Sequence, residues 1–216
     1  MKQYSVALFD LDGTIIDPLI GIVNSVKYAL DCMKIEYSKT ETFEKFIGPP
    51  LDQSFQNFYS LSESEAREAV EFYRVYYKKS GIEENHPYQG IKELIHDLGE
   101  QNILLFIATS KPTPFAIDIL KHYKLDKYFE EIVGANLDLT RTAKKEIIGY
   151  ILTKYPNINP NNCVMIGDRS FDIIGAQVNQ LDSIGVLYGY GSIEEFREAN
   201  PTYIAETIPD LRKILL

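Results

Sequence analysis

Short apolar runs, each closed by a polar or turn residue, constrain the fold of this chain more than any other sequence feature. Four of them are clear, at residues 6–9, 103–108, 163–166 and 184–187. Runs of this length without polar alternation are typical of strands that are covered on both faces, as in a parallel sheet. Amphipathic segments of helical period lie between them, at residues 91–100, 115–123, 143–154 and 171–180. This strand–helix alternation predicts an α/β fold with a doubly wound, Rossmann-like parallel sheet.

The alternation stops between residues 15 and 87, where no convincing strand run is found. Asp17, which is followed by proline, predicts a capped helix start. Ser62 and Glu65 form a capping-box pattern at the start of a long helix that we expect to reach Lys79. The Gly-Pro-Pro sequence at residues 48–50 predicts a stiff turn between these helices. The predicted division is a helical cap at residues 17–86, inserted into a core made of residues 1–16 and 87–216.

Composition and charge exclude several classes of protein and partner. A chain of 216 residues with 45% hydrophobic residues can bury its own core without disulfides. The net charge of −9 argues against nucleic acid polymers and membrane surfaces as partners. No apolar run reaches the roughly 20 residues that a membrane span needs, and the first run is too short for a signal peptide. We expect a cytoplasmic protein in which Cys32 and Cys163 are both reduced and buried.

Acidic and hydroxyl side chains follow three of the predicted strands. Asp10 and Asp12 close the first run, Thr109 closes the second, and Asp168 and Asp172 follow the third. Because ligands of open α/β sheets bind beyond the carboxyl ends of the strands, we expect these groups to converge. Four carboxylates in one pocket repel one another unless a cation neutralises them. Oxygen ligands without cysteine or histidine favour Mg²⁺, and such sites usually also bind a substrate phosphate.

Each of these short motifs also has an ordinary structural interpretation. The Asp-Gly pair within residues 10–14 is common in turns, so this motif alone fits a turn as well as a site. Asp168 and Asp172 fit the first turns of a capped helix. A calcium loop starting at Asp10 is disfavoured, because Gly21 stands where such a loop needs a glutamate. The functional interpretation therefore depends on the joint occurrence of the motifs, in order, at strand ends.

In that order the motifs resemble those of the haloacid dehalogenase superfamily. The resemblance covers nearly the whole chain and is specific to phosphatases with a small helical cap, of the phosphoglycolate phosphatase-like and 5′-nucleotidase-like kinds. The first, second and fourth signatures correspond to Asp10-Leu11-Asp12-Gly13-Thr14, Thr109-Ser110-Lys111-Pro112 and Gly167-Asp168 through Asp172. The third signature is a single lysine, for which Lys144 fits best and Lys145 is the alternative.

The resemblance implies a role for each matched residue. Asp10 is expected to be the nucleophile that forms an aspartyl-phosphate, and Asp12 the general acid and base. Thr109 and Lys144 complete the expected catalytic set by holding the transferring phosphoryl group. The residues expected to hold the Mg²⁺ are Asp10, Asp12 through its backbone carbonyl, Asp168 and Asp172. The residues expected to bind substrate and phosphate are Leu11, Gly13, Thr14, Ser110, Lys111, Gly48 and Pro49.

We therefore predict a Mg²⁺-dependent phosphatase that hydrolyses a small phosphomonoester of the phosphoglycolate, nucleotide or sugar phosphate class. Asp12 favours phosphate esters, because the haloalkanoate dehalogenases of the superfamily lack this acid. A hexose-phosphate mutase resembling β-phosphoglucomutase and a pyrophosphatase are alternatives that use the same residues. A metal-binding regulatory module is the non-enzymatic alternative. It is disfavoured because binding alone requires no pair of nucleophile and acid.

Overall fold

The structure, a computed structural model, describes residues 2–38 and 40–216 and divides into two compact units. The first, the core unit, consists of Met1–Asp17 and Pro87–Leu216, and the second, the helical unit, is Pro18–His86. The strands in the described residues are β1 (Val6–Phe9), β2 (Ile16–Asp17), β3 (His86–Pro87), β4 (Leu104–Pro112), β5 (Glu131–Ala135), β6 (Cys163–Gly167), β7 (Asp182–Val186) and β8 (Tyr203–Ala205). The α-helices are α1 (Leu19–Cys32), α2 (Leu51–Tyr59), α3 (Glu63–Tyr76), α4 (Ile91–Glu100), α5 (Thr113–His122), α6 (Lys144–Lys154), α7 (Ser170–Val178), α8 (Ile193–Ala199) and α9 (Ile208–Leu215).

Six strands of the core unit form one parallel sheet in the order β5-β4-β1-β6-β7-β8. In the centre, Phe9 of β1 is aligned with Ile107 of β4 on one side and with Ile166 of β6 on the other. The chain builds outward from β1 through β4 to β5, and then returns to β6 on the opposite side of β1. Such a reversal is a topological switch point, where open α/β sheets bind their ligands. The predicted α/β fold with a Rossmann-like parallel sheet is confirmed.

Burial of apolar side chains explains why the central segments form strands. All four residues of β1 are buried. Leu8, Phe106 and Met165, one from each central strand, belong to one core cluster with Ile147 and Ile148 of α6. Since strands inside a covered sheet face no water, they need no polar alternation. The carboxyl ends of β1, β4 and β6 are thereby held side by side.

The two edge strands, β5 and β8, do not appear among the strands predicted from the sequence. Each pairs with a single neighbour, β5 with β4 and β8 with β7. Glu131 of β5 is half-buried and Ile204 of β8 is exposed, so no continuous buried run marks either segment. Helices α8 and α9 were likewise not predicted. Strand β4 is longer than predicted, because it continues past Thr109 to Pro112 with a register shift against β5 between these residues.

The helical unit contains α1, α2 and α3 around an aromatic core. The predicted capping box is confirmed: the Ser62 hydroxyl accepts from the Glu65 amide, and the Glu65 carboxylate accepts from the Ser62 amide at 2.8 Å. After α3 the chain forms a π-helical turn, Tyr77–Gly81, in place of a helix continuing regularly to Lys79. The buried ring of Phe46 packs on that of Phe55, with centroids 5.1 Å apart. Buried aromatic rings thus contribute to the core of this unit, whereas Phe58 and Tyr28 are exposed.

Two expectations about single residues are wrong. Helix α1 begins at Leu19 with Pro18, rather than Asp17, at its N-cap position, and the Asp17 carboxylate accepts a hydrogen bond from the Tyr190 hydroxyl. Cys163 is buried in the sheet, but Cys32 is exposed at the last residue of α1.

The short pairing of β2 with β3 also places strand residues where the sequence shows no strand run. None of the described helices is long and apolar enough to cross a membrane.

Adjacent leucines of β4 provide a test of this packing. Leu105 is 1% exposed, whereas Leu104 is 47% exposed at the start of the same strand. We expect Leu105→Ala to lower the free energy of unfolding by about 3 kcal/mol, because it leaves a cavity in the core. Leu104→Ala makes the same chemical change and should cost less than about 1 kcal/mol. Urea unfolding followed by circular dichroism measures both, and equal losses would contradict the assigned orientation of the strand.

Candidate active site

Three carboxylates meet where β1 and β6 end. Asp10 directly follows β1, and its amide donates to the Ile166 carbonyl of β6 at 2.9 Å. Asp168 directly follows β6, and Asp172 lies in the first turn of α7. One oxygen from each of these three side chains lies within 4.8 Å of the other two, and all three residues are buried. The structure thus brings together three of the four acidic residues expected at this edge of the sheet.

Lys144 is the single ammonium group that the structure places in contact with this cluster among the described residues. Its Nζ lies 2.8 Å from Asp10 Oδ1 and 2.5 Å from Asp172 Oδ1. It also donates to the Ala108 carbonyl of β4 at 3.0 Å. Lys144 is buried at the first position of α6, whereas its neighbour Lys145 is exposed. Of the two lysines considered from the sequence, only Lys144 reaches the acidic cluster.

Charge in this cluster is unbalanced. Three carboxylates against one ammonium leave two negative charges, if all the groups are ionised. Burial, together with the charges of Asp10 and Asp172, raises the pKa of Asp168 well above its usual range. Burial also raises the pKa of Asp172 to about 6, although Lys144 opposes the shift. Asp10 and Asp172 in turn hold the pKa of Lys144 above its ordinary value, against the effect of burial.

The carboxylate of Asp168 has one oxygen bonded and one bare. Asp168 Oδ2 accepts from the Tyr190 amide at 2.9 Å, and Oδ1 has no hydrogen-bond partner among the described residues. Gly13 permits the loop after Asp10 to pass this side chain. Its φ is +80°, and a Cβ at that position would collide with the Asp168 carboxylate. A bare buried oxygen beside two further carboxylates fits a divalent cation with oxygen ligands, such as Mg²⁺.

Asp12 lies outside this cluster and makes an ion pair of its own. Its Oδ2 accepts from Lys111 Nζ at 2.6 Å, and both side chains are largely buried. Burial raises the pKa of Asp12, while Lys111 opposes the shift. Lys111 was expected to bind phosphate, and in this structure its ammonium group contacts the predicted acid and base. The pair is neutral, so it leaves the two unbalanced charges of the cluster unchanged.

Further residues predicted from the first two signatures also follow or end the central strands. The Leu11 amide donates to Asp10 Oδ1 at 2.7 Å. Thr109 is buried in β4, and its hydroxyl accepts from the Lys111 amide at 3.3 Å. Ser110 donates its hydroxyl to the Thr142 carbonyl at 3.1 Å, which fixes the segment just before α6. The Ser110 hydroxyl thus donates its hydrogen bond within the protein.

The remaining predicted residues are Thr14, Gly48 and Pro49. Thr14 is fully buried in the loop after Asp10, and its carbonyl accepts from the Tyr188 hydroxyl at 3.0 Å. Gly48, with φ of +103°, and Pro49 form the turn before α2 in the helical unit. Their expected contact with substrate stays a prediction.

Tyr190 contacts the cluster and was missed by the sequence analysis. It lies in the segment that follows β7, between Gly189 and Gly191. Two glycines around a tyrosine, directly after a predicted strand, were the available signal, since glycine near a site often permits close backbone approach. The arginines near the signatures have protein partners instead: Arg169 pairs with Glu195 at 3.2 Å, and Arg141 donates to the Gly134 carbonyl.

Comparison with known proteins agrees with this geometry. Residues 7–186 match the family model described as haloacid dehalogenase-like hydrolase. A 5′-nucleotidase of Pseudomonas aeruginosa is 42% identical over 99% of this chain and 96% of its own length. The solved structure of a predicted phosphatase from Clostridium acetobutylicum has a TM-score of 0.94 and 43% identity, covering 99% of this chain and 98% of the other.

Two further curated relatives carry other names. The tyrosine-protein kinase PtkA of Mycobacterium tuberculosis is 35% identical over 96% of this chain and 71% of its own length. A phosphoglycolate phosphatase of Vibrio parahaemolyticus is 25% identical over all of this chain and 98% of its own length. The names of these relatives thus state three different activities: a nucleotidase, a tyrosine-protein kinase and a phosphoglycolate phosphatase.

We expect Asp168→Asn to stabilise the protein in metal-free buffer, by about 1 kcal/mol near pH 7. Because the folded-state pKa of Asp168 is raised, this group favours folding below its unfolded pKa of about 3.9, and that contribution is lost as the pH rises. The advantage of the variant should therefore shrink as the pH falls toward about 4. Urea unfolding with a chelator present measures it, with the exposed Asp118→Asn as control. A variant less stable than the wild type near pH 7 would contradict the argument.

Proposed function

Since this chain belongs to the haloacid dehalogenase-like hydrolase family and is a phosphatase of that family, we propose that it hydrolyses nucleoside 5′-monophosphates with Mg²⁺ through a phosphorylated Asp10. The observation that carries the metal requirement is the excess of two negative charges in a buried cluster of three carboxylates and one lysine. One bound divalent cation would neutralise the two excess negative charges of the cluster. Residues Asp10 and Asp168, with the Asp12 backbone carbonyl, are the ligands we assign, and Asp172 supports them.

The bound cation would offset the repulsion between the Asp10 carboxylate and a phosphate dianion. In the proposed first step, one carboxylate oxygen of Asp10 attacks phosphorus while the bond to the ester oxygen breaks. Both hydrogen-bonding contacts described for Asp10, from the Leu11 amide and from Lys144, fall on Oδ1. They orient the carboxylate and leave the attack to the other oxygen.

Asp12 is the proposed acid and base. The folded environment raises its pKa, so a proton is more easily kept near neutral pH for transfer to the leaving oxygen. In the second step Asp12 takes a proton from the water that attacks phosphorus, as microscopic reversibility requires. The bond between phosphorus and the Asp10 oxygen breaks, which releases inorganic phosphate and restores the Asp10 carboxylate. The ion pair with Lys111 holds the Asp12 side chain at 2.6 Å in the resting protein. We propose that phosphate draws Lys111 into its own contacts and thereby frees Asp12.

Lys144 and Thr109 are the proposed clamps on the equatorial oxygens of the transferring group. Lys144 is preferred over Lys145 because its ammonium group lies 2.8 Å from the proposed nucleophile. Fixed donors that face developing negative charge in a buried site lower the barrier without reorganising during the reaction. Thr109 is the last residue of β4 before the register shift against β5.

The substrate class is proposed from the relatives. The 5′-nucleotidase of Pseudomonas aeruginosa is more similar to this chain than the phosphoglycolate phosphatase of Vibrio parahaemolyticus, at 42% against 25% identity over comparable lengths. The name of PtkA supports a second candidate, in which the phosphoryl group passes from Asp10 to a hydroxyl other than water. The alternative of a hexose-phosphate mutase would likewise transfer the phosphoryl group to a hydroxyl other than water. The cytoplasmic location stays a prediction from the sequence.

A panel of phosphate compounds, ranked by kcat/KM with Mg²⁺ present, tests the proposal. We expect nucleoside 5′-monophosphates to rank above phosphoglycolate, hexose phosphates and pyrophosphate, and chelation to abolish turnover. The ratio of kcat/KM values reports relative binding of the transition states. Asp10→Asn is the matched control and should release no phosphate. Sustained turnover by this variant would contradict the mechanism, and transfer to a sugar or to tyrosine without phosphate release would favour the second candidate.

Lys144→Met should lower kcat by about 10²- to 10³-fold, the usual cost of losing one fixed donor to the transition state. Lys145→Met is the matched control, because it makes the same change one residue along at an exposed position, and kcat should stay within about twofold. Circular dichroism verifies that both variants are folded before kinetics are compared. If Lys145→Met shows the larger loss, the assignment of the lysine is wrong.

A further inference from the structure

We propose that Tyr190 is a positioning residue for the cation site: its amide orients the Asp168 carboxylate, and its hydroxyl, bonded to Asp17, holds that amide in place. The inference depends on the proposed function in one respect, namely that Asp168 holds a divalent cation. Tyr190 itself touches neither substrate nor the reacting atoms in this assignment.

The amide of Tyr190 occupies one of the two oxygens of the Asp168 carboxylate. It donates to Oδ2 at 2.9 Å, and Oδ1 has no partner among the described residues. A carboxylate with one oxygen bonded cannot rotate freely, so Oδ1 is left as the oxygen for a cation. Hydrogen bonds to the outer oxygen of a ligand commonly tune both its orientation and its affinity for the metal.

Close packing transmits the position of the loop to Asp168. A Cβ at Gly189 would collide with the Asp168 side chain and with the Gly13 carbonyl. The loop after β7 therefore lies in direct contact both with Asp168 and with the turn that follows Asp12. Because Gly189 packs against Asp168 without free space between them, a displacement of Tyr190 also displaces the Asp168 carboxylate.

The hydroxyl of Tyr190 holds the far side of the same residue. It donates to Asp17 Oδ1, at the end of β2. Burial and the Asp17 charge raise the pKa of Tyr190 above its ordinary value, so the hydroxyl keeps its proton and remains a donor. β2 lies a few residues beyond Asp10 and is joined to that loop by the hydrogen bond from the Ile16 amide to the Leu11 carbonyl, at 2.9 Å. Tyr190 thus connects the loop of the proposed nucleophile to the loop of Asp168.

The chain offers a matched control for a purely structural tyrosine. Tyr4 is buried, whereas Tyr190 is half-buried, and the Tyr4 hydroxyl donates to Asp182 Oδ2 at 2.7 Å. Asp182 is the first residue of β7, whereas Tyr190 lies in the loop after Val186, the last residue of the same strand. The two bonds are therefore chemically alike and lie at opposite ends of one strand, and only that of Tyr190 is next to the acidic cluster.

The experiment compares Tyr190→Phe and Tyr4→Phe in the full chain by calorimetric titration with Mg²⁺, together with thermal unfolding in metal-free buffer. We expect Tyr190→Phe to raise the Mg²⁺ dissociation constant by about threefold to tenfold, at or below the lower end of the roughly 10- to 100-fold range for outer partners of a metal ligand, because the amide bond to Asp168 is retained. Tyr4→Phe should leave this constant unchanged within about 1.5-fold, even if it lowers the melting temperature as much.

Equal dissociation constants for the wild type and Tyr190→Phe would overturn the inference and leave the proposed function standing. The same increase in both variants would also overturn it, since the tyrosine would then act only through global stability. A wild type that binds no Mg²⁺ would overturn the metal-dependent function and the inference together.

Asp17→Ala and the double variant supply a second measurement. If Tyr190 acts through Asp17, the double variant should weaken Mg²⁺ binding no more than the more affected single variant, because the two changes remove one bond. Fully additive effects would overturn the proposed route through Asp17. Since Asp17→Ala leaves the tyrosine intact, the titration of this single variant still tests the route through Asp17 if Tyr190→Phe folds poorly.

Discussion

An uncompensated buried charge is the constraint on which the rest of this structure depends. Asp10, Asp168 and Asp172 share one pocket with a single lysine, and burial raises the pKa of the latter two carboxylates. Such an arrangement costs folding free energy, so it persists only where the surrounding sheet supplies enough apolar burial to hold it. The fully buried strands around β1 provide that burial. The architecture thus tolerates a local electrostatic penalty in a position suited to a cation and a phosphate.

Much of the fold and part of the candidate site could be predicted from the sequence, because both depend on local pattern. Asp10 and Asp168 directly follow uninterrupted apolar runs, and parallel strands bring their carboxyl ends to one edge. Lys144 illustrates a limit of this reasoning. Adjacent residues on a helix point about 100° apart, so only the orientation of α6 distinguishes Lys144 from Lys145. That orientation is set by packing, which a short motif does not encode.

What could not be predicted depends on tertiary contacts between distant segments. Tyr190 is held in place by one hydrogen bond to Asp17 and another to Asp168. Neither bond produces a recognisable spacing of residues in the sequence. The pairing of Lys111 with Asp12 is of the same kind. The edge strands β5 and β8 were missed for a different reason, since partial exposure removes the continuous apolar run that marks an interior strand.

The order of the strands has a consequence for dynamics. β1 and β6 lie in the middle of the sheet, with two strands on each side of the pair. Fraying, which begins at sheet margins where backbone amides have fewest partners, must pass through β5 and β4 or through β8 and β7 before it reaches Asp10 or Asp168. The central strands that hold the acidic cluster are therefore expected to be the last part of the sheet to exchange their amide hydrogens with solvent. The acidic side chains of the cluster come from chain segments far apart in sequence, so they assemble only when the central sheet is complete.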